Sequence, residues 1–417
     1  MINREYVKLI MILFLLAIFV NIGLSIISPL ISILKTHLHS TILVTGVIFG
    51  LFPIARGIVS PICGKFIDKF SMKYLLIIGF SIYVIASFLY ILADTAALLS
   101  LVRIIQGVAA GLTLPAILAY AGFISFETRN NIATNLTITA LQMGVAFGPF
   151  IGGIVFDCWG YNSVFVVMAA IEIVALILVL LFVPKQKKEA NLSNDHIEPQ
   201  KKMPRPPGNM LKFHLPALAI IFQFTAIFVM TIIMVILSVY SSNIPIPLSI
   251  SQIGIIIFVM IVISSLMVIP VGKCADKLTK RQMSSLFLLI SGGILLVVPL
   301  FFYPNVSTFS GLILLSAIVG VGAGIIFPTI NSISYIIGRV EGIGLWWGLI
   351  AAINSMAYFL GSLLATLIFI YFGCDNVFYL SGMLGVVLVS FGTYHAIRRL
   401  RGNISYIKKL NVKRLIE

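Results

Sequence analysis

The chain is broken into twelve long apolar runs, at about 8–32, 41–63, 74–93, 97–122, 132–156, 162–183, 214–240, 250–271, 284–303, 308–330, 342–371 and 376–397. A helix needs roughly twenty apolar residues to cross hydrocarbon, and each run is near or above that length. Lipid offers no water to backbone amides and carbonyls. A spanning segment must therefore satisfy them within a helix or a closed barrel, and these runs are too long for barrel strands. The reading is an all-α membrane protein of twelve transmembrane helices, called spans 1 to 12 in chain order. Composition agrees: 60% of the 417 residues are hydrophobic and 10% are charged, where a soluble domain carries about 25% charged residues. The twelve spans use up the chain and leave no room for a sizeable soluble domain. The first run lacks a small-residue cleavage site and the second follows at once, so it is read as a retained span and not as a secretion signal.

The net charge of +15 would point a soluble protein toward nucleic acid. Placement decides against that here. Of the 28 lysines and arginines, all but Lys35, Arg56 and Arg103 fall in alternate connections and at the two termini. That asymmetry is the positive-inside pattern. It places both termini in the cytoplasm of a multi-pass protein of the cell membrane, with some affinity for anionic lipid headgroups. No nucleic-acid partner is expected. Cys63, Cys158, Cys274 and Cys374 have no metal-ligand spacing; they read as scattered packing thiols. No metal site and no cofactor is expected.

The chain also repeats itself. "GKFIDKFSMK" at 64–73 has a counterpart in "GKCADK" at 272–277, 208 residues later. "GVAAGLTLPAI" at 107–117 returns as "GVGAGIIFPTI" at 320–330, and "CWGYNSVF" at 158–165 is echoed by "CDNVF" at 374–378. Three matches in one order at nearly constant offset make an internal duplication. Each half holds six spans, an even number, so the halves enter from one side as parallel repeats. Residues 1–184 and 214–398 are the expected bundles. Residues 185–213, rich in Lys, Pro and Asn, read as a flexible linker, and 399–417 as a basic tail, frayed or lying on the surface.

Three local patterns carry chemistry. The first is the charged turn after span 2: Gly64 for a tight exit from the helix, Lys65, Asp68, Lys69 and Lys73, with Gly272, Asp276 and Lys277 in the second half. Asp68 is an anion where a helix N-terminus from the other half could meet it. The second is "LVRIIQGVAAG" on span 4, where Arg103 stands about two turns into hydrocarbon. Such a charge costs roughly 2.5–3.5 kcal/mol on insertion scales and so should face the bundle interior or water. The third is "GVAFGPFIGG" on span 5. Gly144, Gly148 and Gly152 line one face and let a neighbouring backbone approach, Pro149 removes a backbone donor, and Gly153 completes the set.

With twelve spans in two halves, these patterns resemble the major facilitator superfamily, and most of all its twelve-span drug:proton antiporters. The resemblance covers essentially the whole chain. The family's loop G-x-x-x-D-[RK]-x-G-[RK]-[RK] is met at Gly64, Asp68, Lys69 and Lys73 and missed at Ser71. Lysine replaces the commoner arginine, which loses the bidentate fork. The resemblance implies that this loop locks the cytoplasmic side of the outward-open state. It implies a part in proton coupling for Arg103, Gln106 and Gly107; the alternative is a structural tether to span 1 carbonyls. The span 5 set matches G-x-x-x-G-P-x-x-G-G at every position, a pattern of the export branches that importers generally lack. Spans 1, 4, 7 and 10 with 2, 5, 8 and 11 would then surround a cavity, with 3, 6, 9 and 12 as outer supports.

Polar residues at membrane depth are the default site candidates: Asn21, Arg56, Gln142, Glu172, Gln223, Asn354 and Tyr358, beside Arg103 and Gln106. Glu172 lies on an expected support helix, which weakens it as a substrate ligand; it could carry a proton or pair with an arginine. Pumps for cationic drugs resemble one another in an acidic residue on span 1, where this chain has only Asn21. Two arginines without a carboxylate favour an anionic substrate. The expected function is a secondary active exporter working as a monomer by proton antiport and alternating access. Its substrate is a polar or anionic metabolite, such as a carboxylate siderophore or an antibiotic. A broad multidrug pump and an organic-anion or nutrient importer are the alternatives within the superfamily, and a non-transporting receptor lies outside it. Enzyme readings fare poorly: His37, His39, His196, His214 and His395 sit at or outside span ends, Asp94, Asp157 and Asp375 flank spans, and no phosphate-binding loop is present.

Overall fold

The computed structural model describes residues 4–67, 70–127, 132–185, 214–240, 248–279, 283–341 and 343–414. Among them are twelve helices long and apolar enough to cross a membrane, and no strand. Spans 1 to 6 are Tyr6–Leu30, Ile42–Gly64, Met72–Ile91, Ala96–Ile124, Leu136–Trp159 and Tyr161–Phe182. Spans 7 to 12 are Pro216–Leu237, Ile250–Val268, Leu286–Asn305, Phe309–Ser334, Leu349–Phe372 and Cys374–His395. Apolar side chains such as Ile78, Ile85 and Phe88 on span 3, or Val174, Ile177 and Leu181 on span 6, stand exposed on the outer faces, as a lipid-facing surface requires. The last helix continues unbroken from Cys374 to Arg414, so the expected basic tail prolongs span 12. Residues 186–213 of the expected linker lie outside the described residues.

Packing divides the spans into two sets of six. Span 1 lies on spans 5 and 6, span 4 on spans 2 and 3, and span 3 on span 6; in the second set, span 7 lies on spans 11 and 12, span 10 on spans 8 and 9, and span 9 on span 12. The sets meet along two seams, span 5 against span 8 and span 2 against span 11. Buried apolar side chains follow the same division. Two clusters use residues of spans 1 to 6 alone, and a third is built on spans 7 to 12 with Ile31, Ile42 and Ala146 reaching in from the first half. Ile31 opens the short helix Ile31–His37 after span 1 and Ile42 begins span 2, so the halves touch at the end of the molecule remote from the chain's start. We call this the far end, and the end carrying residues 4–8 and 70–73 the basic end.

The duplication is visible in side-chain detail. Tyr90 stacks on Phe165 with ring centroids 4.9 Å apart and planes within 3°. At positions 213 residues on, Tyr303 stacks on Phe378 at 4.9 Å and 1°. Gly79 packs on Thr113, and 213 residues on Gly292 packs on Ile326. The turns after spans 5 and 11 pass through Gly160 and Gly373, with φ of 83° and 82°. Both sit where an L side chain is strained although nothing stands within 4 Å of a Cβ, so glycine is required by the backbone and not by crowding. Gly160→Ala and Gly373→Ala should each cost about 1–3 kcal/mol, read as similar falls in the melting temperature of the detergent-purified protein; no fall in either would remove the backbone argument.

Candidate functional site

The glycines of span 5 serve two partners. A Cβ on Gly144 would stand 2.8 Å from Asn21 Cβ, one on Gly148 2.9 Å from the Ile22 carbonyl oxygen, and one on Gly152 2.9 Å from Ile26 Cγ1. These three residues let span 1 lie backbone to backbone on span 5. Gly153 points the other way. Its Cβ would stand 2.6 Å from the Ile250 carbonyl oxygen and 2.8 Å from Ser251 Cα, while Gly254 of span 8 takes the carbonyl of Pro149 against it. Phe258 fills the seam against Phe147 and Phe150, with centroids at 5.4 and 5.1 Å. At its far end, Asp157 Oδ2 accepts the Ser251 amide at 2.8 Å, capping the first turn of a helix that belongs to the other half. The far end is therefore closed by backbone contact, aromatic packing and an inter-bundle cap.

Within the first half lies a buried polar core. Arg103 is 1% exposed; its Nη1 donates to Gln106 Oε1 at 3.1 Å, and its guanidinium lies over Phe49 at 5.3 Å, with Phe52 and Tyr90 each at 6.0 Å. Cation–π contact of this kind is worth about 0.5–2 kcal/mol and offsets part of the burial cost. Gln106 is the hub. It accepts from the Tyr90 hydroxyl at 2.6 Å and donates through Nε2 to the Gly23 carbonyl at 3.0 Å. The tether to span 1 thus exists and belongs to Gln106, with Arg103 held one step behind it. Asn21 Nδ2 donates to the Leu141 carbonyl at 2.8 Å, so that side chain joins span 1 to span 5.

Span 6 has an exposed outer face and turns Glu172 inward. That side chain is 0% exposed, abuts Gly23 of span 1, and neither carboxylate oxygen has a hydrogen-bond partner among the described residues. Span 3 likewise turns Tyr83, Ser87 and Tyr90 inward on one face. Sequence reasoning passed over Tyr83 and Tyr90 because tyrosines inside an apolar run look like packing; their spacing of seven, one helix face, was the available signal. The second half holds no such set. At the positions equivalent to Arg56, Tyr83, Arg103 and Glu172, by the offsets of 208 and 213, stand Ser264, Leu296, Ser316 and Gly385. Ser316 shares a 2.7 Å hydrogen bond with Tyr303, where the first half has inserted its Arg103–Gln106 arrangement.

Between the halves, the Arg56 guanidinium of span 2 lies 5.8 Å from the Phe52 ring centre and 5.7 Å from that of Tyr358 on span 11. Arg56 is half-buried, and no carboxylate pairs with it among the described residues. One turn along span 11, Asn354 Oδ1 accepts from Gln223 Nε2 of span 7 at 3.1 Å, and Gln223 Oε1 is buried without a partner. Arg56, Tyr358, Asn354 and Gln223 thus form one constellation across the seam of spans 2 and 11. Gln142 is half-buried on span 5 and joins no bond to this group.

The charged loops are less complete. Gly64 is exposed within a helix that runs on to Ile67, so it is not the exit from that helix that the sequence implied; nothing lies within 4 Å of a Cβ there. Lys73 Nζ donates to the Leu180 carbonyl at 2.9 Å, which places a cation at the C-terminal end of span 6 in its own half. Asp68 and Lys69 lie outside the described residues, as do the side chains of Lys65, Asp276 and Lys277; the helix of span 8 passes through Gly272.

The sequence profile of the Major Facilitator Superfamily matches residues 13–335 and 223–405, and the chain belongs to that superfamily of transporters. An uncharacterised MFS-type transporter of Methanocaldococcus jannaschii is 24% identical over 367 residues, 88% of this chain and 92% of that one. Multidrug resistance protein 1 of Bacillus subtilis is 27% identical over 180 residues, and Quinolone resistance protein NorA of Staphylococcus aureus 23% over 193. These two matches span only 46% and 50% of those proteins and 43% and 46% of this chain. A crystal structure of a POT family transporter in complex with 5-aminolevulinic acid shares the fold with a TM-score of 0.69 at 14% identity, covering 94% of this chain and 96% of that one.

The two faces of span 5 make separable predictions. Gly148→Leu should destabilise the first bundle, by an overpacking cost of about 1–3 kcal/mol or more, seen as a lower melting temperature. Gly153→Leu should leave that bundle intact and open the far end, seen as a longer label-to-label distance between positions 159 and 248. Equal effects of both variants on both readouts would sink the division.

Proposed function

We propose that this chain is a proton-driven exporter of small organic anions, working as a monomer in the cytoplasmic membrane with both termini inside the cell. The observation that carries the reading is Arg56, a cation at the seam of the two halves with aromatic neighbours and no carboxylate partner among the described residues. An anion within about 4 Å of it gains on the order of 4 kcal/mol at an effective dielectric of 20. Gln223 and Asn354 add amide donors from the other half, so one chain supplies both walls. The substrate chemistry this favours is a carboxylate-bearing metabolite, a siderophore of the carboxylate kind or an acidic antibiotic.

Glu172 is the proposed proton carrier, since a carboxyl without hydrogen-bond or charge partners is tolerated in the bilayer interior when it is neutral. The loop residues Gly64, Lys65, Asp68 and Lys69, with Gly272, Asp276 and Lys277, are proposed as the lock at the basic end, the counterpart of the far-end closure by Gly153, Pro149 and Asp157. Exchange would proceed as the halves rock about the seams of spans 5 with 8 and 2 with 11. Export is supported by the complete glycine–proline set of span 5 and by relatives named for multidrug and quinolone resistance. Those names also support a second reading, a broad multidrug pump, in which aromatic lining and not Arg56 selects the cargo.

Arg56→Ala should cut transport of a carboxylate-bearing quinolone into everted membrane vesicles roughly a hundredfold, about 3 kcal/mol, with normal amounts of protein in the membrane and with Arg56→Lys partly restoring it. Equal loss for a permanently cationic dye would favour the multidrug reading, and uptake into intact cells against efflux from them would reverse the direction.

A further inference from the structure

The outer face of spans 3 and 6 has no place in the reading above, yet its basic end is more ordered than a scatter of surface lysines. Lys73, in the first turn of span 3, donates from Nζ to the Leu180 carbonyl in the last turn of span 6 at 2.9 Å. Lys185, just past the end of span 6, returns the contact: its Nζ lies 5.2 Å from the ring centre of Tyr74, the residue after Lys73. Two ammonium groups are thus held at one pair of helix ends, each by a contact to the opposite helix. Among the described residues Lys73 keeps two N–H groups uncommitted and Lys185 all three. The only acidic residue of either span is Glu172, which is turned inside the bundle, so no carboxylate of these spans neutralises the pair. Toward mid-membrane the same face is apolar. Tyr74, Ile78 and Ile85 of span 3 and Ile177 and Leu181 of span 6 are all exposed, and their spacings of four and seven keep each set on one side of its helix. Spans 3 and 6 pack on each other, so the two sets form one strip that begins at the lysines. The second half lacks the pair: 213 residues on from Lys73, Tyr74 and Lys185 stand Leu286, Phe287 and Arg398.

We propose that this notch holds the headgroup of one anionic phospholipid from the leaflet at the basic end. Lys73 and Lys185 meet its phosphate, the Tyr74 hydroxyl stands beside it, and an acyl chain runs along the strip of spans 3 and 6. The charge matches: two unneutralised cations face an anion, through N–H groups that give short, charge-assisted hydrogen bonds. Basic notches between membrane helices suit anionic headgroups for this reason. The shape matches as well, since a phospholipid also passes from a charged head to an apolar tail at the membrane boundary. The lysine stems lie along apolar surface and bring their charges to the headgroup layer. With one lysine pair in the chain, one such lipid is expected and not two. Its binding depends neither on the cargo nor on the direction of transport.

Native mass spectrometry of the purified full-length protein counts bound lipids and provides the test. Titration with phosphatidylglycerol should give one tightly held lipid per chain, and phosphatidylcholine with the same acyl chains should bind about tenfold more weakly or worse. Lys73→Gln combined with Lys185→Gln should weaken phosphatidylglycerol about thirtyfold. Lys408→Gln combined with Lys409→Gln removes the same charge from the last helix and should leave that binding as in the parent. Because Lys73 also ties span 3 to span 6, Lys185→Gln alone carries the test if the double variant fails to fold, with about a fivefold loss expected. Equal losses in the two lysine pairs would mean diffuse attraction to the basic end and overturn the site. Parent-like binding without Lys185, or equal binding of the two lipids, would overturn it too. Displacement of the lipid by excess inorganic phosphate would assign the lysines to a free anion and overturn the lipid as occupant.

Discussion

Close approach of backbones along span 5 is the contact on which the rest of this molecule depends. A membrane offers no hydrophobic drive to bring helices together, so packing density and hydrogen bonds must do it. Glycines at 144, 148 and 152 let span 1 settle into span 5, and Gly153 with Pro149 does the same for span 8. One helix therefore belongs to its own bundle by one face and to the opposite bundle by the other. The first contact has to persist for the protein to stay folded. The second has to break if the far end is to open, and it is reinforced only by aromatic rings and the Asp157 cap, interactions that can be remade.

The two bundles have kept the same skeleton and diverged in chemistry. The stacked Tyr90–Phe165 and Tyr303–Phe378 pairs, and the positive-φ glycines at 160 and 373, show that the backbone solution was retained through the duplication. Tyr90 has its counterpart in Tyr303, but Arg56, Tyr83, Arg103 and Glu172 have none in the second copy. Desolvation explains why this matters: each buried charge or carboxyl is costly unless it is paired or neutral, so confining Arg56, Tyr83, Arg103 and Glu172 to one half concentrates that cost where proton chemistry is proposed. Beside the seam the second half places neutral amides, Gln223 and Asn354.

Much of this was legible beforehand. Run length set the spans because lipid tolerates few alternatives, and the repeat was plain in "GVAAG" and "GVGAG". The glycine face of span 5 was readable as a packing stripe, but not that Gly153 leaves it for the opposite bundle, since spacing along one helix carries no information about which neighbour lies on each side. Glu172 was read as a residue that could carry a proton or pair with an arginine, and only the placement of its neighbours leaves it buried with no arginine partner among the described residues. Tyr83 and Tyr90 were missed: a tyrosine in an apolar run is ambiguous until its hydroxyl is placed.

The sequence by itself determined that this chain is a twelve-span, twice-repeated helical membrane protein, because hydrophobic length and charge asymmetry act locally, residue by residue, at the lipid boundary. Only the tertiary structure decided that Gln106 rather than Arg103 ties span 4 to span 1, that Glu172 sits sealed beside Gly23, and that Arg56 meets Tyr358 across the seam. Those outcomes depend on which helix faces are brought together from positions far apart in the chain, and the direction of a side chain around a helix gains meaning only when its neighbours are in place.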